Sequence, residues 1–182
     1  MVCSFITAAG WRTLLPEEVA FIRQYFGAQT GTKLIARVRL GVRRLGDTRR
    51  ALCIDGGLVS LPRQCFLQSS GSHPLRLMQP QVAGVFAHEL LHELQRMHGI
   101  AVTREAVLLQ YKWLVKRCDP YFYSCIGNSR ALLRQFLSAN VEQQAQMWQD
   151  FVQSHVAGHP LPSHALLPLA VQSARLRKRN TR

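Results

Sequence analysis

The stretch Val85-Phe86-Ala87-His88-Glu89-Leu90-Leu91-His92 contains the pattern His-Glu-x-x-His within a segment that predicts one long helix. Side chains four residues apart lie one above the other on a helix, so the imidazoles of His88 and His92 can bind a single zinc ion. Glu89 is then placed to accept a proton from a water molecule that the ion activates. The stretch therefore predicts a metal-dependent hydrolytic site.

The residues around this motif favour a partly buried helix over a chance match on a solvated one. From residue 79 to residue 97 the apolar side chains recur at steps of three and four positions, at Val82, Val85, Phe86, Leu90, Leu94 and Met97. Pro80 is admissible in a first helical turn, and Gly99 is suited to ending a helix. Polar groups on a partly buried helix need a partner. This requirement favours metal binding over the alternative, in which the histidines and the glutamate merely lie on a surface helix.

A catalytic zinc ion usually has three protein ligands, and His98 is one candidate for the third. It lies six residues after His92, the offset of the pattern HExxHxxGxxH, but Gln95 stands where that pattern has a glycine that turns the chain. On a continuing helix of ~100° per residue, His98 points about 120° away from His92. A place at the helix C-terminus is therefore the favoured explanation of His98.

Glu142 is the favoured candidate for the third ligand. Asn140 followed by Gln143 predicts a capping box at the start of another helix, with Glu142 in its first turn. One face of this helix is apolar, with Val141, Ala145, Trp148, Phe151 and Val152. A glutamate on a second, downstream helix completes the ligand set in gluzincin-type sites. The alternative is an acidic residue that the helix dipole favours without any metal.

Runs of sequence between about residues 13 and 153 share a family pattern. Besides the motif stretch they are Leu14-Leu15-Pro16-Glu17-Glu18, Phe26-Gly27, Ala36-Arg37-Val38-Arg39, Gly57-Leu58-Val59-Ser60-Leu61-Pro62, Tyr121-Phe122-Tyr123 and Glu142-Gln143-Gln144-Ala145. They resemble the Vgr-related zincin-like metallopeptidase domains. The resemblance implies zinc at His88, His92 and Glu142, with Glu89 as the base. Residues 93–98 depart from the family's aromatic-rich stretch, and nothing beyond Ala157 matches.

The resemblance also implies a biological role. Members of that family occur alone or fused to spike proteins of type VI secretion systems, and some resemble antibacterial toxins delivered to the periplasm of a competitor. For this chain it implies an antibacterial effector that cuts a protein or peptide of the bacterial envelope. Its implied partners are a secretion-spike carrier and a cognate immunity protein.

The chemistry of such a site is general. Glu89 accepts a proton as water attacks the scissile carbonyl, and it returns that proton to the leaving amine. The oxyanion that forms needs a hydrogen-bond donor opposite the metal. Tyr121, Tyr123 and His98 all remain candidates for that donor.

Length and composition predict one compact domain over residues 1–182, with a basic tail at about residues 175–182. The chain has 182 residues, of which 47% are hydrophobic, so it can bury a substantial core. No run reaches the ~18 apolar residues of a membrane helix. The first ten residues lack a basic segment, so no cleaved signal peptide is expected. We expect a protein made in the cytoplasm and exported by a dedicated machine to the periplasm of a target bacterium.

The net charge of +13 raises an alternative function, nucleic-acid binding. Arginines cluster at Arg43, Arg44, Arg49 and Arg50, and again in the tail. No nucleic-acid motif accompanies them, so nucleic acid is not expected as a partner. A further alternative is a zincin-like binding module without catalysis. The five cysteines form no CxxC pair, which argues against a thiolate zinc site, although Cys118 and Cys125 could form a disulfide.

Periodicity and turn residues predict the order of elements. We expect strands at residues 34–42, 52–54 and 58–61, after a helix at residues 16–26, and then a loop at residues 69–80. The remainder is helical, at residues 79–97, 103–117 with Thr103 as cap, 129–137, 141–156 and 163–177. A small N-terminal sheet before a mainly helical part is a zincin-like α+β arrangement, with the motif helix beneath the sheet and a peptide substrate along an edge strand.

Overall fold

This computed structural model describes residues 10–124, 127–174 and 176. These residues contain a three-stranded sheet and seven α-helices. The helices are α1 (Pro16–Phe26), α2 (Ala28–Arg37), α3 (Pro80–Met97), α4 (Val102–Lys116), α5 (Ser129–Ser138), α6 (Val141–Val156) and α7 (Leu167–Gln172). The strands are β1 (Arg39–Val42), β2 (Leu52–Ile54) and β3 (Leu58–Leu61). The α+β class is thus confirmed. Cys125 and, Leu176 excepted, the basic tail lie outside the described residues.

The sheet has the strand order β1-β3-β2. β3 is parallel to β1, with Leu40 opposite Val59, and antiparallel to β2, with Cys53 opposite Val59. The backbone of Arg12 pairs with Leu40 on the other side of β1. Within the described part of the chain, β2 is therefore the strand whose outer edge stays open.

The prediction of a strand beginning at residue 34 was wrong, because residues 34–37 form the last turn of α2. Thr30, Gly31 and Leu34 are the buried residues of that helix, and their spacing is helical. Gly31 allows α2 to approach α1, since a Cβ there would lie 3.3 Å from the carbonyl oxygen of Ile22. The short apolar run thus belongs partly to a helix pair and partly to β1.

Two of the predicted helix boundaries also differ from the structure. The predicted helix at residues 163–177 is split into a 3-10 turn, Pro162–His164, and the short α7, because Pro168 cannot donate the hydrogen bond that a continuous helix would need there. The predicted cap at Thr103 is absent, since α4 begins one residue earlier, after Ala101. The turn at Gly99 leads the chain almost directly into α4.

Helices α3 and α6 form the main packed pair of the structure. Gly84 lies on α3 one turn before His88, and a Cβ at this position would lie 3.1 Å from Cγ and 3.2 Å from the carbonyl oxygen of Gln149 on α6. The missing side chain therefore lets the two helix backbones come close. Gly84, His88 and His92 form one row along α3, because they are spaced by four residues.

A buried ion pair between Arg12 and Glu18 holds the segment that precedes α3. Their two hydrogen bonds are 2.7 and 2.6 Å long, and the side chains are 1% and 0% exposed. Arg12 also donates to the carbonyl oxygens of Thr13, Gly71 and His73, and Glu18 accepts from the backbone N–H groups of Leu15 and Leu75. All five guanidinium N–H groups are thereby used. The segment before α3 is consequently tied to α1.

The end of α3 is a Schellman motif. Gly99 has a φ of 75°, its N–H donates to the carbonyl oxygen of Arg96, and the N–H of Ile100 donates to that of Gln95. Gly99 therefore ends the helix, as its sequence position predicts. None of the helices among the described residues is both long enough and apolar enough to span a membrane.

Candidate metal centre

His88, His92 and Glu142 come together between α3 and α6, and these three side chains could hold a metal ion. The Nε2 atoms of His88 and His92 are 3.1 Å apart, and they lie 3.5 and 3.4 Å from Oε2 of Glu142. All three residues are buried, with exposed fractions of 6–8%. The three residues expected from the sequence as ligands therefore do share one place in the fold.

The triangle of these atoms fits tetrahedral coordination. Ligand bonds of about 2.0–2.1 Å separate neighbouring ligand atoms by roughly 3.3–3.4 Å in a tetrahedron, and the observed sides are 3.1, 3.4 and 3.5 Å. Two imidazoles and one carboxylate are also a donor set that zinc accepts. The residues present thus fit a divalent ion without rearrangement.

Gln95 determines which nitrogen of His92 faces the centre. The Nε2 group of Gln95 donates to the carbonyl oxygen of Val141 and to Oε1 of Gln144, so its own Oε1 is free to accept from Nδ1–H of His92 at 2.9 Å. The lone pair of His92 then lies on Nε2, pointing towards Glu142. A lone pair opposite a carboxylate is unfavourable unless a cation lies between them, either a proton or a metal ion.

In the absence of an ion, protons are the cations of this cluster. Burial alone lowers the pKa of His92, but the hydrogen bond and the charge of Glu142 outweigh it and leave that pKa raised. Burial raises the pKa of the Glu142 carboxyl, whereas the hydrogen bonds from His88 and His92 lower it by more, well below its usual value. Glu142 is therefore ionised, and a metal ion must compete with a proton for the imidazole of His92.

Glu89 is buried among the residues that line the cleft beside this centre. No hydrogen bond or ion pair connects its carboxylate to any residue that the structure describes. It directly follows the candidate ligand His88 in the chain, and because its oxygens have no such partner they are available to a water molecule in the cleft. Its charge is near enough to the centre to contribute to the raised pKa of His92.

The cleft has a volume of about 1390 Å³ and is lined by α3, α4, β2 and the segment between β1 and β2. Tyr121 lies in it, with its ring centroid 6.4 Å from that of His88 and its hydroxyl accepting a hydrogen bond from Arg50. Burial, and next the charge of Glu142, raise the pKa of Tyr121, so its hydroxyl keeps its proton at neutral pH. The edge strand β2 also borders the cleft.

The other two candidates for the oxyanion donor lie elsewhere. The hydroxyl of Tyr123 hydrogen-bonds to Asp150 and His164, away from the cleft lining. His98 is exposed at the C-terminal cap of α3 and does not belong to the group of three ligands. Cys53 also borders the cleft. Burial is the main cause that raises the pKa of its thiol to about 12.

Sequence reasoning missed three residues that shape this centre, Gly84, Gln95 and Gln144. Gln95 was interpreted only as a helix former, although a polar residue three positions after His92 on a buried helix is a signal for a partner. Gln144 continues the chain of bonds, since it accepts from Gln95 and donates to the carbonyl oxygen of Phe136. Gly84 could have been noticed because glycine is unfavourable in a helix interior.

Comparisons with known proteins identify no relative of this chain. No protein-family model matches the chain, and neither a curated protein nor a solved structure shows significant similarity to it.

Proposed function

We propose that this protein is a zinc-dependent peptidase with a zincin-like arrangement of its active site. His88, His92 and Glu142 would hold the zinc ion, and Glu89 would be the general base. The observation that carries the proposal is the triangle of three ligand atoms beside an unpaired, buried carboxylate in a large cleft. The same residues carry the sequence motif.

When bound, zinc supplies Lewis acidity that lowers the pKa of a water molecule towards neutrality. Glu89 accepts the proton of the attacking water and returns it to the leaving amine, so no covalent enzyme intermediate is formed. We assign the hydrogen-bond donor for the oxyanion to Tyr121, because it lies in the cleft near His88 and keeps its proton at neutral pH. Gln95 keeps the imidazole of His92 oriented.

A peptide is the substrate class that suits this cleft. β2 borders the cleft, and an extended chain would lie along its outer edge, where the carbonyl oxygen of Cys53 already accepts a hydrogen bond from Arg96 and the backbone N–H of Cys53 remains for the substrate. Apolar side chains of α4 line the cleft too, and would contact the side chains of a bound peptide.

The test compares purified protein with its Glu89→Gln variant, both loaded with zinc. New N-termini generated in a bacterial periplasmic extract are counted by mass spectrometry. We expect wild-type protein to generate them, and Glu89→Gln to do so about 100- to 10,000-fold more slowly, the usual contribution of a general base. Both proteins should contain one zinc per chain by elemental analysis.

The matched control is Glu17→Gln, which changes an exposed carboxyl on α1 and should leave cleavage unchanged. Stoichiometric zinc without any cleavage by wild type would favour the binding module. A steeply salt-dependent affinity for DNA that survives removal of the metal by a chelator would favour nucleic-acid binding.

We further propose that the peptidase is an antibacterial effector carried by a type VI secretion spike and neutralised by an immunity protein. The support is the resemblance of the quoted sequence runs to the Vgr-related zincin-like domains. Expression of the protein with and without a periplasmic signal in a laboratory bacterium tests it. Growth should stop only when the protein reaches the periplasm, and Glu89→Gln should be harmless; growth that is unaffected in both compartments would contradict the role.

A further inference from the structure

Four arginines line the cleft without a carboxylate partner. They are Arg43, Arg49, Arg50 and Arg76, and none of them forms an ion pair with a described residue. Three other arginines in the fold do have such partners, Arg12 with Glu18, Arg37 with Glu93, and Arg96 with Asp55. Arginines without an ion pair also occur outside the cleft, for example Arg23 and Arg63, but these four are the ones that a substrate in the cleft would meet.

Carboxylates in the cleft cannot neutralise this charge. Glu89 and Glu142 belong to the metal centre, and the remaining acidic residue of the described lining is Asp47. One oxygen of Asp47 accepts the backbone N–H of Arg49. Apart from Arg96, which pairs with Asp55, the lining away from the centre thus has four positive charges against one negative charge.

Two observations indicate that these arginines do more than face solvent. The Nε atom of Arg43 is buried and lacks a hydrogen-bond acceptor among the described residues, which is unfavourable unless a ligand supplies one. Arg50 donates to the hydroxyl of Tyr121 at 3.0 Å, and the Tyr121 ring lies beside His88. One guanidinium of the cleft is therefore linked through Tyr121 to the surroundings of the metal centre.

We propose that the cleft selects acidic peptide segments, with Arg43, Arg49, Arg50 and Arg76 as the residues that bind their carboxylates. The inference rests on the proposed peptidase function and names its substrate class. Guanidinium groups bind carboxylates with two parallel hydrogen bonds. Val107, Tyr111 and Leu114 of α4 add an apolar lining, which favours a peptide with large apolar residues over a nucleic-acid backbone.

The test measures binding in the Glu89→Gln variant loaded with zinc, so that no cleavage interferes. The probes are two fluorescein-labelled peptides, Glu-Glu-Leu-Phe-Glu-Glu and Lys-Lys-Leu-Phe-Lys-Lys, followed by fluorescence anisotropy. We expect the acidic peptide to bind at least tenfold more tightly at low salt, with a preference that shrinks as salt rises. Exposed charge pairs are each worth up to roughly a fivefold change in affinity, so Arg49→Gln with Arg50→Gln should lose about five- to twentyfold.

Two control variants keep this experiment decisive. Arg49→Lys with Arg50→Lys retains the charge but not the two parallel hydrogen bonds and should lose less of the preference than the glutamine pair, whereas Arg23→Gln removes an exposed arginine outside the cleft and should change nothing. Equal affinity for the two peptides would overturn the proposal. So would an oligonucleotide that displaces the acidic peptide at equal concentration, since it would identify a nucleic-acid ligand.

The two proposals can fail separately. Cleavage by wild type without a preference for acidic peptides would refute the arginine selection and leave the peptidase intact. Tight binding of the acidic peptide by a protein that cuts nothing would refute the peptidase and leave an acidic-peptide site.

Discussion

The imidazole of His92 donates its Nδ1–H to Oε1 of Gln95 at a distance of 2.9 Å, on the same helix and one turn away. Gln95 is itself held by α6, through the carbonyl oxygen of Val141 and the side chain of Gln144. Both glutamines are fully buried. The helix that carries Glu142 thus also orients one of the two histidines.

We expect Gln95→Leu to lower zinc affinity about 10- to 100-fold, because residues that orient metal ligands typically contribute that much. Competition with a chromogenic chelator measures the affinity. The control is His98→Gln, which changes an exposed histidine at the end of the same helix. Wild-type affinity in Gln95→Leu, or an equal loss in His98→Gln, would contradict the orienting role.

Gly84→Ala tests whether the closeness of α3 and α6 sets the ligand distances. Alanine gains about 1 kcal/mol in helix propensity, but its Cβ would lie 3.1 Å from Gln149 and costs about 1–3 kcal/mol through overpacking. Zinc affinity, which depends on helix separation, should fall by up to roughly tenfold. Gly127→Ala meets no atom within 4 Å and should leave affinity unchanged; identical behaviour of both variants would argue against the packing explanation.

In the metal-free protein, the contribution of the histidine–glutamate cluster to the free energy of unfolding should be largest in mildly acidic solution. The pKa of His92 is raised from 6.5, so its contribution is complete below that value and is lost as pH rises through the folded-state pKa. The pKa of Glu142 is lowered from 4.5, so its contribution is present above that value and is lost as pH falls. Both contributions coincide between these two pH values.

Chemical denaturation of chelator-treated protein measures this window. The free energy of unfolding lost in Glu142→Gln should be larger at about pH 5.5 than at about pH 8.5. His159→Gln, which changes an exposed histidine, should show no such difference. A loss that is the same at both pH values would mean that the cluster does not exchange protons as described.

Arg12→Met should destabilise the protein by about 3–5 kcal/mol, because it leaves Glu18 as an uncompensated buried charge. The double variant Arg12→Met with Glu18→Leu should recover much of this loss, since apolar residues of similar volume replace a buried pair well. Urea unfolding provides the measurement. If the double variant is no more stable than Arg12→Met alone, the backbone contacts of Arg12 matter more than its charge.

Sequence periodicity identified the long helices and the strands β2 and β3, and it failed where a short apolar run fits both a helix and a strand. Helices α3 and α6 were predicted with their caps, because sixteen to eighteen residues give several turns of apolar spacing, and Asn140 and Gly99 are strong boundary signals. Residues 34–37 were assigned to a strand, since a few apolar residues fit both periods. Tertiary packing against α1 decided in favour of the helix.

The candidate ligands could be identified from sequence because helical spacing alone brings His88 and His92 together. Glu142 required a judgement between two residues, and the structure places it, not His98, beside both imidazoles. The local contacts of Gln95 with His92 and of Arg12 with Glu18 are within reach of sequence reasoning, but their other contacts are not. Those contacts join residues 46 to 61 positions apart, and no local pattern encodes them.

The buried ion pair of Arg12 and Glu18, which holds the segment before α3, affects the order in which parts of this protein fold. Local helices form within about a microsecond, whereas joining residues some sixty positions apart requires the closure of a long loop. The helix that carries both imidazoles can therefore exist before it is docked beside the carboxylate on α6. In a refolding experiment, capture of the ion should therefore lag behind the recovery of helical circular dichroism.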